Sequence, residues 1–237
     1  MGRLGVMAQA ALEYMRWLSR QKGLQIEGIF THFARADEPL AALTTQQIER
    51  FSGVLDQLRA ESLCPPLIHA ANSAAAIYFP GAYFNMVRSG IAIYGLDPSP
   101  EAVLPPCFLP ALSWKARLTS VKTFPPGHGI SYGSIYITRK TERIGTIPVG
   151  YADGFRRVNQ QQVLLCAQRA DVVGRVCMDQ CALQLDAIPQ ARIGDEVVLL
   201  GQQGKERISA EELGKRWGTV NYEVVCGLAN RLPRLYF

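Results

Sequence analysis

The spacing of apolar and polar residues predicts strands alternating with helices in the first part of the chain. Residues 25–33 form an apolar run typical of a buried strand, and residues 44–63 have the spacing of an amphipathic helix. A second strand is predicted at 66–70, a helix of small residues at 71–79, and a third strand, FNMVR, at 84–88. Strands separated by helices predict right-handed crossovers and a parallel sheet.

From about Leu112 the pattern changes to short runs rich in Val, Ile, Leu and Thr, which Gly and Pro turns interrupt. That pattern is typical of an all-β domain. Five prolines cluster between the two parts and mark the boundary. We therefore predict an α/β domain over residues 1–97, a linker over 98–111 and an all-β domain over 112–237.

Composition excludes several classes of protein. With 237 residues, of which 48% are hydrophobic and 19% charged, the chain has the make-up of an ordinary globular protein. Its net charge is +5, but no run of Lys and Arg is long enough to suggest a nucleic-acid-binding arm. The apolar runs are too short to cross a bilayer. We expect neither a nucleic-acid nor a membrane partner.

The six cysteines raise the question of disulfides or a metal site. No CxxC pair occurs, and the three histidines are not spaced like metal ligands beside the cysteines. Cys177 and Cys181 lie four residues apart in a strand-like segment, so both are expected to point inward as small hydrophobic residues. We interpret all six as reduced thiols of a cytoplasmic protein without a metal.

Polar residues follow each predicted strand of the first part. His32 follows the first strand, Asn72 and Ser73 follow the second, and Arg88 ends the third. In parallel α/β folds the loops at the carboxyl ends of the strands converge on one mouth, where ligands bind. Each residue alone also fits a structural role, His32 in the core or a cap and Ser73 as a helix N-cap. Three such ends in succession favour a ligand site.

The residue types at these ends suggest a phosphate as the ligand. Ser73 lies at a helix start, and Gly90 and Ile91 offer backbone N–H groups after Arg88. Tyr222 lies in the first turn of a later predicted helix. Free N–H groups at helix N-termini favour anions. Glycines after a strand usually just make turns, so the plain turn interpretation stays open here.

The second part contributes a tyrosine in a loop of small residues, ISYGSIY at 130–136. Gly133 directly after Tyr132 suggests a tight loop that presents the phenol rather than burying it. An ordinary turn tyrosine has the same pattern, so the residues alone leave both interpretations open.

Ten short motifs together resemble those of the alanine racemases, pyridoxal-phosphate enzymes with a (β/α)8 barrel and a C-terminal β domain. The motifs are MGRLG, THFARAD, HAANSAA, RSGIAIYG, LSWKA, ISYGSIY, PVGYADGFRR, VGRVCMDQ, GTVNYE and RLPR, in the family's order over nearly the whole chain. The resemblance implies the α/β plus all-β fold class, with the C-terminal part of a (β/α)8 TIM-type barrel at 1–97. A β-barrel-like domain would follow at 112–237.

The resemblance also implies which residues would hold the cofactor, pyridoxal 5′-phosphate. His32 would stack against its ring, and Arg88 would contact its pyridine nitrogen. Four residues would hold its phosphate: Ser73, Gly90, Ile91 and Tyr222.

Tyr132 matches the family's second catalytic base, which acts from the partner subunit of a homodimer with shared active sites. Arg3 and the backbone of Met178 match contacts to the carboxylate of the substrate, alanine, Met178 again from the partner. Bases on opposite faces of Cα would remove one proton and deliver another, interconverting L- and D-alanine and supplying D-alanine for peptidoglycan. We expect the Arg88–His32 pair to supply the positive charge that a tyrosine base needs.

The largest departure from the family is a missing lysine. The family's cofactor lysine, which is also its first base, precedes the MGRLG motif. None of this chain's six lysines lies in the expected motif, and Lys115 belongs to LSWKA. We therefore expect Met1 to be an internal methionine and the chain to be a C-terminal fragment that lacks the N-terminal barrel strands. The isolated fragment is expected to be inactive.

Other hypotheses stay open on the sequence alone. The chain is alternatively a non-catalytic remnant, a divergent intact protein, or part of a racemase for another amino acid such as serine or a basic residue. The barrel decarboxylases for basic amino acids fit less well, because MDQ, ISYG and RSGIAIYG follow the racemase pattern.

Overall fold

Strands pair in parallel before Pro110 and antiparallel after it, and the chain divides there into two units. The computed structural model describes residues 1–40 and 42–237. The N-terminal unit covers Met1–Pro110 and the C-terminal unit covers Ala111–Phe237. The predicted change from an α/β to an all-β pattern is confirmed.

Helices outweigh strands in the N-terminal unit. Its elements are α1 (Ala11–Leu18), β1 (Gly28–Phe30), α2 (Ala42–Ala60), β2 (Leu67–His69) and α3 (Ser73–Tyr78). The strands β1 and β2 pair in parallel, with Phe30 opposite His69, as expected for strands joined through a helix. Among the described helices, α2 included, none is both long and apolar enough to cross a membrane.

The helix α2 contributes to two apolar clusters in the core of the N-terminal unit. Phe51, Leu55 and Leu58 are spaced so that they fall on one side of the helix, and all three are buried. Phe51 and Leu55 pack with Ile68 of β2, whereas Leu58 packs with Met15 of α1. One helix thus ties the short strands to the first helix of the unit.

The prediction of a third strand at 84–88, FNMVR, is wrong. Phe84 has a φ of +48°, and the segment forms only an isolated parallel bridge, between Met86 and His69. In a continuous strand, a backbone carbonyl would accept from the N–H of Ile68. Here the side-chain Oδ1 of Asn85 accepts this hydrogen bond instead, at 2.7 Å. The segment therefore runs beside β2 without becoming a strand.

The C-terminal unit is built on an antiparallel sheet, with a separate hairpin and two helices. Its strands are β3 (Trp114–Arg117), β4 (Ser120–Phe124), β5 (Gly129–Ile130), β6 (Tyr136–Ile137), β7 (Glu142–Ile147), β8 (Gln162–Leu165), β9 (Gln168–Val173), β10 (Cys181–Gln184), β11 (Glu196–Gln203) and β12 (Glu206–Ile208). The helices are α4 (Ala210–Trp217) and α5 (Asn221–Cys226). The sheet order is β12-β11-β8-β9-β10-β7-β4, β3 pairs with β11, and β5 pairs with β6.

The strand β11 and the ring of Phe155 belong to the core of the C-terminal unit. The strand β11 is buried at four consecutive positions, 197–200, which is typical of a strand covered on both faces. Phe155 is fully buried and meets Trp114 and Trp217 edge-on, with ring centroids 5.8 and 6.2 Å away. Because Phe155 belongs to PVGYADGFRR, this packing anchors the loop that carries that motif.

The helices α4 and α5 begin differently. The hydroxyl of Ser209 accepts from the N–H of Glu212 at 3.1 Å and so caps α4. The cap position of α5 is held by Val220, which makes no side-chain cap hydrogen bond, so the preceding Thr219 does not cap this helix. The hydroxyl of Thr219 donates instead to the carboxylate of Glu223.

All six cysteines lie among the described residues and are free thiols. Cys181 is buried at the start of β10, and burial raises the pKa of its thiol to about 12. Cys177 is only half-buried, and its N–H donates to the carbonyl of Gln180 at 2.8 Å in a turn. The expectation that both point inward is therefore wrong for Cys177, because the turn ends the strand alternation. Within residues 1–40 and 42–237, no group of three or more His, Cys, Asp or Glu is placed to hold a metal.

Candidate active site

The guanidinium of Arg88 is the centre of a polar cluster in the N-terminal unit. Its Nη1 lies 2.6 Å from Nδ1 of His69, and its Nη2 lies 3.2 Å from Nδ1 of His32. Nη2 also donates to the carbonyl oxygens of Thr31 and Ala70, each 3.0 Å away. Groups from the ends of both strands and from the segment after α3 thus meet at one cation.

Burial and the charge of Arg88 together favour the neutral form of both histidines. A guanidinium has donors only, so Nδ1 of His69 accepts from Nη1 and the proton of the neutral His69 ring lies on Nε2, whereas the two protons of Nη2 are shared among two carbonyl oxygens and Nδ1 of His32. Burial and then the charge of Arg88 lower the pKa of His69. Burial, then the charges of Arg88 and Arg3, lower the pKa of His32. Both imidazoles are therefore neutral near pH 7, so within the Arg88–His32 pair the positive charge lies on Arg88 alone.

Burial also lowers the pKa of Arg88, but an arginine pKa starts so high that the guanidinium stays charged at neutral pH. All the hydrogen-bond partners named above are neutral imidazoles or carbonyl oxygens. The cluster thus presents a single positive charge.

Phe30 and His69 belong to the cluster and were missed by the sequence reasoning. Their rings stack with centroids 5.1 Å apart and planes 2° apart, as their pairing across β1 and β2 allows. The Cζ of Arg88 lies 5.3 Å from the centroid of the Phe30 ring, a favourable place for a cation. One signal for His69 was available, since it ends β2 just before the Asn72–Ser73 pair already singled out.

Ser73 opens α3 but does not cap it, so the structural interpretation of this serine is wrong. Asn72 is the cap, and its Oδ1 accepts from the N–H of Ala75 at 3.0 Å. The hydroxyl oxygen of Ser73 accepts instead from the N–H of Gly90 at 2.8 Å and from that of Ala92 at 3.3 Å. Ser73 thereby connects the start of α3 to the segment after Arg88.

The Ser73 hydroxyl and the space beside Gly90 are suited to binding an anion. A hydroxyl has two lone pairs and one proton, and two N–H bonds to the oxygen leave the proton for an acceptor. A Cβ built on Gly90 would lie 3.8 Å from Oγ of Ser73 and within 4 Å of no other described atom outside its chain neighbours. Open space therefore lies beside the Ser73 hydroxyl, where Ile91 begins a short 3-10 helix.

Tyr132 lies in the loop between β5 and β6 of the C-terminal unit, and 69% of its surface is exposed. The loop backbone is unusual, since Ser131, Gly133 and Ser134 have positive φ values of 64°, 73° and 44°. Such conformations are rare outside glycine and mark a turn that neighbouring structure enforces. The loop therefore presents the phenol to solvent.

Met178 lies in a turn that the PVGYADGFRR loop contacts through its backbone. The N–H of Tyr151 donates to the carbonyl of Cys177 at 3.0 Å, and that of Ala152 to the carbonyl of Met178 at 2.8 Å. A Cβ on Gly150 would lie 2.4 Å from the Met178 carbonyl oxygen, so only glycine permits this approach. The carbonyl oxygen of Met178 is therefore engaged within the C-terminal unit by the PVGYADGFRR loop.

The residues singled out in the sequence fall in both units. The N-terminal unit holds Arg3, His32, Ser73, Arg88, Gly90 and Ile91. The C-terminal unit holds Tyr132, Met178 and Tyr222, the last in the first turn of α5. Hydrogen-bond contacts join Arg88 to His32 and Ser73 to Gly90. Arg3 acts on His32 through its charge, which lowers the pKa of the imidazole.

Two family models match the chain. The model described as "Alanine racemase, N-terminal domain" matches residues 1–98, and that described as "Alanine racemase, C-terminal domain" matches residues 111–236.

Individual relatives agree with the family models. The alanine racemase of Halothermothrix orenii is 44% identical over 238 residues, covering 100% of this chain and 63% of that protein. The alanine racemase of Symbiobacterium thermophilum is 46% identical with the same coverage. The crystal structure of Bacillus anthracis alanine racemase with bound L-Ala-P matches with a TM-score of 0.93 at 39% identity, covering 100% of this chain and 62% of that one. The chain thus spans about 63% of the length of the curated relatives named here.

Proposed function

Because this chain belongs to the alanine racemase family, we propose that it carries active-site residues of a pyridoxal-phosphate-dependent enzyme that interconverts L- and D-alanine. The observation that supports this best is the Arg88 cluster, a cation held by neutral groups near an open anion cradle at Ser73 and Gly90. The relatives named above are alanine racemases, which favours alanine over serine or a basic amino acid as the substrate.

The chemistry of these residues fits pyridoxal 5′-phosphate. The hydroxyl proton of Ser73 and the backbone around Gly90 and Ile91 would hold the phosphate. Tyr222, the fourth residue matched to the phosphate, stays a prediction. When bound, the cofactor draws electrons away from Cα of the substrate so that its proton becomes acidic enough to remove.

Arg88 would control the electronic character of the bound ring. A guanidinium donates hydrogen bonds and keeps its own protons at neutral pH, so a pyridine nitrogen that contacts it accepts a bond and stays unprotonated. An unprotonated ring withdraws electrons less strongly, which limits side reactions at Cα. His69, Thr31 and Ala70 fix the guanidinium for this contact. His32, neutral near pH 7, would stack on the ring without adding charge.

Racemisation requires proton transfer on both faces of Cα. The exposed phenol of Tyr132 would hold or move the proton on one face, and the amide N–H of Met178 and the guanidinium of Arg3 would orient the carboxylate. The family's other base is a lysine whose own motif is not among the ten that this chain matches. We further propose a homodimer in which Tyr132 and Met178 serve the partner's site. A cytoplasmic location and D-alanine supply for peptidoglycan stay predictions.

The test joins this chain to the part of the Halothermothrix orenii relative that the match leaves uncovered. The fusion should racemise alanine, and Tyr132→Phe should slow deuterium incorporation from solvent for one enantiomer far more than for the other. Tyr236→Phe, in the exposed C-terminal tail, is the matched control and should change neither rate. Equal small losses for both enantiomers would reduce Tyr132 to a loop residue, and turnover of serine but not alanine would reassign the substrate.

Subunit mixing tests the shared site. A Tyr132→Phe fusion mixed with a fusion that lacks the cofactor lysine should rebuild one working site in each heterodimer. Confirmed heterodimers without recovered activity would refute sharing.

A further inference from the structure

The residue before Tyr132 is held in a conformation that few residues adopt. Ser131 has a φ of 64° and a ψ of −176°, a region of backbone space that is essentially limited to glycine. Other residues persist there only where the surrounding structure enforces it, and they concentrate at functional sites. An enforced conformation next to a proposed base calls for a physical cause.

That cause is a short hydrogen bond across to the turn that carries Met178. The hydroxyl of Ser131 donates to the carbonyl oxygen of Arg175 at 2.5 Å and lies 3.5 Å from Sγ of Cys177. The bond therefore ties the Tyr132 loop to the backbone from which Met178 would offer its amide N–H.

Two glycines allow the loop and the turn to approach this closely. A Cβ on Gly174 would lie 2.8 Å from the carbonyl oxygen of Ile130 and 2.8 Å from Cβ of Ser131. A Cβ on Gly133 would lie 3.1 Å from Nη1 of Arg175. Both glycines have positive φ, 69° and 73°, where a side chain is disfavoured in any case. The Ser131 hydroxyl thus makes a directional bond in the middle of a close backbone contact.

The side chain of Tyr132 depends on this contact for its position. With 69% of its surface exposed, the tyrosine has little packing of its own to fix the phenol. We propose that Ser131 is a positioning residue for Tyr132: its bond to the Arg175 carbonyl fixes the loop, and so sets where the phenol stands relative to Met178. This inference rests on the proposed function, in which the phenol and the Met178 amide act on one substrate.

The first experiment observes Tyr132 without cofactor, substrate or turnover. 3-Fluorotyrosine placed at position 132 of this chain is followed by 19F NMR, and the backbone order parameter of that residue is measured alongside. Ser131→Ala removes the hydroxyl, whereas Ser131→Gly also removes the backbone strain. Ser134→Ala is the matched control, since it makes the same change in the same loop at another positive φ.

The unaltered chain and Ser134→Ala should give one sharp resonance and an order parameter of about 0.85, and both Ser131 variants should fall below about 0.6. Wild-type order in either Ser131 variant would overturn the inference. The NMR signals of Trp114 and Trp217, both buried, report whether the C-terminal unit stays folded. If Ser131→Ala unfolds the unit, the order parameter of Ser131→Gly, whose glycine tolerates this backbone conformation, tests the inference.

A kinetic readout separates this inference from the proposed function. In the fusion described above, Ser131→Ala should lower kcat roughly 100-fold with little change in KM, as expected for a misplacement of about 1 Å. A lowered order parameter at Tyr132 with an unchanged kcat would support the positioning role of the Ser131 bond but refute the role of Tyr132 as a base. An ordered Tyr132 in the variant would overturn the positioning role itself.

Discussion

The C-terminal unit holds ten of the twelve largest fully buried side chains among the described residues, whereas the N-terminal unit holds two, Leu55 and Leu58. The C-terminal unit buries them against an antiparallel sheet of eight described strands. The N-terminal unit has a parallel pair of three-residue strands, and large apolar side chains such as Leu4 and Ile93 are exposed.

The polar candidate-site residues are distributed between the two units differently from the large buried side chains. The polar cluster around Arg88 lies in the unit with the smaller core, where β1 pairs with no described strand other than β2. The C-terminal unit presents Tyr132 and Met178 on loops that a well-packed sheet supports. The comparison shows that a hydrogen-bonded site and a stable core need not lie in the same unit, and it predicts different responses to the same perturbation.

The largest expected effect is the absence of turnover. The N-terminal unit contains one lysine, Lys22, which lies in a turn after α1 rather than at a strand end. We expect this chain with added pyridoxal phosphate to show only the background rate in a coupled D-alanine assay. Turnover near that of an intact racemase, abolished by Lys22→Ala, would contradict this and make Lys22 a base.

Limited proteolysis should separate the two units. Because the N-terminal unit leaves strand edges and apolar residues exposed, we expect cleavage within residues 1–97 and a resistant piece covering most of 112–237. Mass spectrometry of the early fragments identifies the sites. If residues 1–97 resist the protease longer than residues 112–237, the expectation that the N-terminal unit is the less stable one is contradicted.

Matched core deletions should sharpen the contrast. Leu58 and Leu199 are both fully buried, one in each unit, and Leu→Ala at such positions costs about 2–5 kcal/mol. We expect Leu58→Ala to abolish hydrogen-exchange protection in the N-terminal unit alone, and Leu199→Ala to lower C-terminal stability without unfolding that unit. Leu40→Ala, at a fully exposed position, is the control. Equal loss of protection in both units from Leu58→Ala would show that they unfold together.

Acidification should produce the smallest of these effects, and in the N-terminal unit. Burial and the charge of Arg88 lower the folded-state pKa of His32 and His69 below the ordinary value of about 6.5. Below that pH the unfolded chain binds protons that the folded unit resists, so stability should fall as the pH drops below about 6.5 and stay level above it. Urea midpoints of the N-terminal unit measure this. His69→Gln should flatten the profile, and a midpoint that rises on acidification would refute it.

Apolar spacing predicted the elements better than their polar details. The predicted helix at 44–63 is found at Ala42–Ala60, and the predicted strand at 25–33 contains β1. The errors arise where neighbouring polar side chains compete for the same backbone groups, since Asn72 rather than Ser73 caps α3. Spacing alone does not decide such competition, because the outcome depends on local backbone angles.

Motifs identified the candidate residues but did not show their partners. The stack of Phe30 on His69 follows from the register of β1 against β2, which the residue types do not specify. The strain at Ser131 was equally hidden, because serine is common in ordinary turns and the enforcing contact comes from Arg175, distant in sequence.

Binding of the cofactor's phosphate by the N-terminal unit is the central claim, and titration calorimetry tests it directly. Pyridoxamine 5′-phosphate is compared with pyridoxamine, because neither carries an aldehyde that condenses with surface lysines. The phosphate compound should bind at least about tenfold more tightly, and Gly90→Val, which fills the space beside the Ser73 hydroxyl, should remove the difference. Gly81→Val, where a Cβ meets nothing within 4 Å, should preserve it. Equal affinity for the two compounds, or a preference that survives Gly90→Val in a folded chain, would contradict the account.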